Sequence, residues 1–80
     1  MEHRPVKSES LRSVGYEDGI LEVTYGSSAR RNEPGKTYQY KDPEGAVHAA
    51  LMEAKSKGSF MHRIKGKLTY RKKGTEKWLN

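Results

Sequence analysis

Along residues 14–25 apolar and polar positions alternate with a period of two, interrupted once by Glu17-Asp18-Gly19. Successive side chains of a strand point to opposite faces, so Val14 and Tyr16 share one face of the first strand, and Leu21, Val23 and Tyr25 share one face of the second. Asp-Gly between two such runs is a tight-turn signal, because glycine tolerates positive φ. The pattern predicts a β-hairpin. Residues 26–35 (Gly-Ser-Ser-Ala-Arg-Arg-Asn-Glu-Pro-Gly) have turn chemistry throughout and read as a long loop. Lys36-Thr37-Tyr38-Gln39-Tyr40-Lys41 then resumes the two-residue period as a third strand, with Tyr38 and Tyr40 on one face.

At Asp42-Pro43-Glu44 the period changes. An Asp N-cap, a proline at the first helical position and an acid in the first turn form a helix start. Val47, Ala50, Leu51 and Ala54 recur at spacings of three and four, which predicts a helix packed on the sheet through that face. Gly58 reads as the stop, after Lys55 and Lys57. Ser59 caps a second, shorter helix in which Phe60 and Ile64 are an i, i+4 pair and Gly66 ends the turn. Leu68 and Tyr70 alternate in a short extended segment. The expected fold is α+β: a three-stranded antiparallel β-meander against one main helix, then a short second helix and a short extended C-terminal segment. One domain spans residues 8–71, between a flexible lead over 1–7 and a basic tail over 72–80.

Composition narrows the function classes. Eighty residues suffice for one small domain with a thin core. No cysteine is present, which excludes a disulfide framework or thiolate zinc site and suits a reducing, cytoplasmic setting. No apolar run approaches membrane-spanning length, and the first residues lack the apolar stretch of a secretory signal. The net charge is +6, unevenly placed. Through Ala54 seven basic residues face nine acids; from Lys55 onward nine face Glu76 alone. A cationic last third points to a polyanionic partner, or serves as a solvated, solubilising surface.

The ordered set Val14-Gly15-Tyr16, Leu21-Glu22-Val23 and Tyr38-Gln39-Tyr40 resembles the KTSC domain. That short bacterial and phage module is named for its place at the C-terminus of some lysyl-tRNA synthetases. Tyr38-Gln39-Tyr40 looks like the family's central Tyr-x-Tyr signature. Pro43, Val47, Leu51 and Ala54 match its helix pattern, and Ser56-Lys57-Gly58-Ser59-Phe60 and Ile64-Lys65-Gly66 match the segment that follows. The resemblance covers roughly residues 6–71. It departs at the 26–35 loop, which is longer than the family's tight turn and carries Arg30-Arg31, and at His62, where members often have Asn. RNA binding is the role the resemblance implies, with the tyrosines as contact residues and nothing catalytic.

Catalytic and metal constellations are missing. His3, His48 and His62 form no His-x-x-x-His pair, and no nucleophile elbow or phosphate-binding glycine loop occurs. His62 reads as a hydrogen-bonded helix-terminus residue. Asp42 and Glu44 are explained by the helix start. The chain therefore reads as a non-enzymatic binding domain without cofactor, metal or small-molecule substrate. Lys65, Lys67, Arg71 and Lys73 have one parity along an extended segment and would make a cationic stripe with Lys72 alongside, contacting phosphates. Arg30 and Arg31 extend that patch if the loop folds over it. Tyr38 and Tyr40 either stack on splayed bases or pack under the helix. The expected partner is nucleic acid, RNA before DNA. The other reading is a protein-interaction adaptor or phage-type modulator that docks on a larger partner, with a free strand edge as its handle.

Overall fold

The computed structural model describes residues 1–27 and 32–80. Among these described residues five strands, β1 (His3–Pro5), β2 (Leu11–Glu17), β3 (Ile20–Tyr25), β4 (Lys36–Lys41) and β5 (Tyr70–Lys72), form one antiparallel sheet in sequence order. Helices α1 (Ala46–Glu53) and α2 (Lys57–Ile64), then a 3₁₀ turn at Lys65–Lys67, lie between β4 and β5. The sheet thus has five strands where the residue pattern predicts three. Both additions are three-residue edge strands: β1 falls in the expected flexible lead, and β5 falls at the end of the short extended segment that Leu68 and Tyr70 predict. They exist through pairing alone: β1 against β2 from His3↔Gly15 to Pro5↔Ser13, and β5 against β4 from Tyr38↔Lys72 to Tyr40↔Tyr70.

The β2–β3 hairpin closes as expected on Asp18 and Gly19, both at positive φ (50° and 76°), as a two-residue primed turn requires. At the other end the register slips between Leu11 and Ser13. This bulge is what lets Leu11 join Val14 in the core although the two are three residues apart. Leu11, Val14, Leu21 and Val23 are fully or almost fully buried beneath Leu51 of α1 and Met61 of α2, and Val6 closes the cluster beside β1. Each such side chain contributes about 1.5–3 kcal/mol on burial.

The helices differ in detail from expectation. Asp42 does start α1, but across a turn: its carboxylate accepts from the Val47 and His48 amides at 3.2 and 2.8 Å, with Gly45 at φ 75° between. Ala50, expected on the packed face, is exposed, and Leu51 is the buried anchor. Gly58 is not a stop. α1 ends at extended Ala54, where Lys57 Nζ donates to the Met52 and Ala54 carbonyls. Ser56, rather than Ser59, caps α2, accepting from the Ser59 amide. Gly58 sits inside α2 because a side chain there would meet Ser10 at 2.8 Å.

Candidate functional site

The registers divide the side chains between two faces. Opposite residues of an antiparallel pair share a face, so Val14, Val23, Tyr38 and Lys72 form one row, and Tyr16, Leu21, Tyr40 and Tyr70 another. Leu11, Tyr25 and Lys36 make a third. All three rows lie on the helix side. The core side chains of β2 and β3 in these rows are buried there, whereas toward β4 and β5 the same face opens into a groove of about 500 Å³. Tyr25, Tyr38, Tyr40 and Tyr70 line it, with Lys36, Lys65 and Gly66.

Four tyrosines in contact make this groove. Tyr25 meets Tyr38 edge-on at 6.0 Å between centroids, and Tyr70 lies tilted 6.3 Å from Tyr38 and 6.4 Å from Tyr40. Tyr40 is the floor: it is buried, and its hydroxyl shares a 2.6 Å hydrogen bond with that of Tyr25. Burial pushes both phenols above the usual tyrosine range, Tyr40 the further, since the Tyr25 hydroxyl and neighbouring rings act in the same sense there. Tyr38 and Tyr70 keep exposed surface. Lys65 Nζ stands 5.8 Å over the Tyr25 ring, within cation–π range. A hydroxyl pair has one O–H left after its mutual bond, so the floor offers a single donor together with acceptor lone pairs. Between aromatic walls and two ammonium groups, the groove suits a flat ring with an anionic attachment.

The opposite face is polar. His3, Gly15, Glu22, Gln39 and Arg71 are paired in one straight row across all five strands. Glu22 is almost completely buried at its centre. Its carboxylate accepts from His3 Nε2 at 2.6 Å, Gln39 Nε2 at 2.7 Å and Lys73 Nζ at 3.3 Å. Burial alone would push the Glu22 carboxyl up, yet those hydrogen bonds and the charge of Lys73 hold it below the usual carboxylate range. Arg71 Nε donates to Gln39 Oε1 at 2.8 Å, and the Trp78 ring lies 4.3 Å from its guanidinium. The C-terminal residues fold back on the sheet: Tyr70 and Leu79 exchange two backbone hydrogen bonds of 2.7 Å.

The residues singled out from sequence are therefore distributed. Tyr38 and Lys65 line the groove, Lys72 stands beside Tyr38 in register, and Lys67 is exposed in the same 3₁₀ turn as Lys65. Tyr40 packs as the floor and offers no ring face to a base. The single cationic stripe does not form. Lys65 and Lys67 lie in the turn, while Arg71 and Lys73 share the polar face with Glu22 and belong to its network. The 3₁₀ turn that holds Lys65 and Lys67 breaks the shared parity. Arg30 and Arg31 lie outside the described residues. Tyr25, Lys36 and Tyr70 were not singled out, although the period of two places Tyr25 with Leu21 and Val23; only the β3–β4 register reveals Lys36 beside it.

Among the described residues no group of three or more His, Asp or Glu side chains could hold a metal ion. No helix among them is long and apolar enough to cross a membrane. The sequence model of the KTSC domain matches residues 7–67. A crystal structure of a KTSC domain protein from Yersinia pestis superposes with a TM-score of 0.73 at 37% identity, covering 91% of this chain and 97% of that one. No curated protein matches.

Proposed function

The chain belongs to the KTSC domain family, and we propose that it is a non-enzymatic, cytoplasmic binding domain that takes single-stranded nucleic acid, RNA before DNA, in the tyrosine groove. One observation carries this reading: Tyr38 and Tyr70, buried only in part, share a groove with Lys36 and Lys65. An unpaired base stacks on aromatic faces whatever its identity, while ammonium groups hold the flanking phosphates. The exposed Lys67 and Lys72 supply further charge on the same side of the sheet as Tyr38 or in the adjoining turn. Duplexes keep their bases stacked inside, so they gain only the phosphate contacts.

A protein partner added as an extra strand has less to stand on. The β1 edge is three residues long and contains Pro5, which cannot donate, and Tyr70 on the β5 edge is already bonded to Leu79.

The test is fluorescence anisotropy with labelled single-stranded RNA on the wild type, Tyr38→Ala, Tyr70→Ala and the double variant Lys36→Gln/Lys65→Gln. Losing a stacking wall is expected to cost about 1–3 kcal/mol of affinity. Losing both lysines flattens the salt dependence by about 0.7 per phosphate contact. RNA affinity unchanged in all three variants contradicts the groove as the site.

A further inference from the structure

The polar face joins the two ends of the chain through one buried carboxylate. An ionised carboxylate only accepts hydrogen bonds, so His3 Nε2 and Gln39 Nε2 both donate to Glu22. That fixes which way the Gln39 amide points. With its nitrogen turned to Glu22, its oxygen faces β5 and accepts from Arg71 Nε at 2.8 Å. Reversing the amide would set its N–H₂ against the Arg71 donor. Arg71 in turn carries the Trp78 ring on its guanidinium and donates to the Glu76 carbonyl, which holds the C-terminal segment against the sheet. At the other end His3 reaches Glu22 only because Gly15 stands between them. A Cβ there would lie 2.8 Å from both the His3 ring and the Glu2 carbonyl.

We propose that Glu22 is a positioning residue that couples the seating of the N-terminal strand β1 to the docking of the C-terminal segment on β5. Loss of the His3 bond leaves a buried anion short of a donor. The carboxylate swings toward its remaining donors, Gln39 and Lys73, and draws the Gln39 amide, its nitrogen still turned to Glu22, out of line with Arg71. The Tyr70–Leu79 pairing then opens more often. Tyr70 is a wall of the groove, so displacing β1 loosens the binding site from the far side of the sheet; this last consequence rests on the single-strand reading above. Bonds in such a network strengthen one another, so losing one weakens the rest, and by linkage the coupling acts equally from either end.

Amide hydrogen exchange on the intact chain tests this, with the fluorescence of Trp78, the sole tryptophan, as a second readout. In His3→Ala the Leu79 amide, bonded to the Tyr70 carbonyl, is expected to exchange about 5-fold faster or more, the low end of allosteric coupling. The Ala49 amide in α1 keeps its protection, and the Trp78 emission moves to the red. His3→Gln, which retains a donor, restores most of the protection. Glu22→Gln is expected to act as His3→Ala does, if its melting transition remains cooperative. Unchanged Leu79 exchange in His3→Ala, or equal acceleration at Ala49 and Leu79, overturns the coupling. If the wild type binds no RNA, the groove reading fails while Leu79 exchange still decides the coupling.

Discussion

Gly15 shows how much a missing side chain can organise. It stands between His3 and Glu22 in a cross-strand row, and the space it leaves lets a histidine from one edge meet a carboxylate two strands away. Gly15→Ala should therefore unseat β1 and destabilise the fold by about 1–3 kcal/mol, the usual cost of overpacking, as read by urea denaturation. Glu22 adds a pH dependence. Its folded-state carboxyl sits below the ordinary range, so its contribution is present above that range and is lost as the pH falls through the lowered value. The difference in stability between wild type and Glu22→Gln should shrink on acidification across that window. A constant difference down to pH 3 would contradict the paired, ionised carboxylate. None of this chemistry shows in the local pattern, where Glu22 is simply the outward residue of an alternating strand. Its burial comes from His3, Gln39 and Lys73, which are 19, 17 and 51 positions away.

At the scale of elements, what repeats locally is legible and what depends on pairing is not. The hairpin, the third strand and the presence of two helices all follow from periods, the Asp-Gly turn and the Asp42 cap. The edge strands follow less well: β1, three residues without an alternating apolar pattern, gives no sign, and β5 shows only as a short extended segment whose pairing to β4 is not legible. Helix ends moved for a similar reason: Gly58 has stop chemistry, yet close packing on Ser10 uses its small size inside α2 instead. The tyrosines were visible as a strand face, but the division between Tyr40 as floor and Tyr38 as wall required the helices to be placed. Because α1 and α2 reach the sheet through Leu51 and Met61, Leu51→Ala should cost about 2–5 kcal/mol. A loss below about 1 kcal/mol would mean that α1 is not needed to close the core.

Across the whole molecule the sheet works as a partition. Its helix side holds the core at one end and the tyrosine groove at the other, while its far side ties both termini to Glu22. The +6 charge is therefore not one stripe. Arg71 and Lys73 are engaged in holding the fold, whereas Lys36 and Lys65 line the groove and Lys67 and Lys72 are exposed beside it, which is where the proposed ligand would meet charge. Charge reversal aimed at the whole basic third would confuse the two groups, since replacing Arg71 or Lys73 disturbs the network around Glu22. The most direct measurement is an NMR chemical-shift titration of labelled protein with short single-stranded RNA and with duplex DNA, each at low and moderate salt. The predicted result is salt-sensitive shifts centred on Tyr38, Tyr70, Lys36 and Lys65 with the single strand and weaker, diffuse shifts with the duplex. No shift at low salt with any oligonucleotide, or shifts confined to the face of His3 and Arg71, would contradict the groove as a nucleic-acid site.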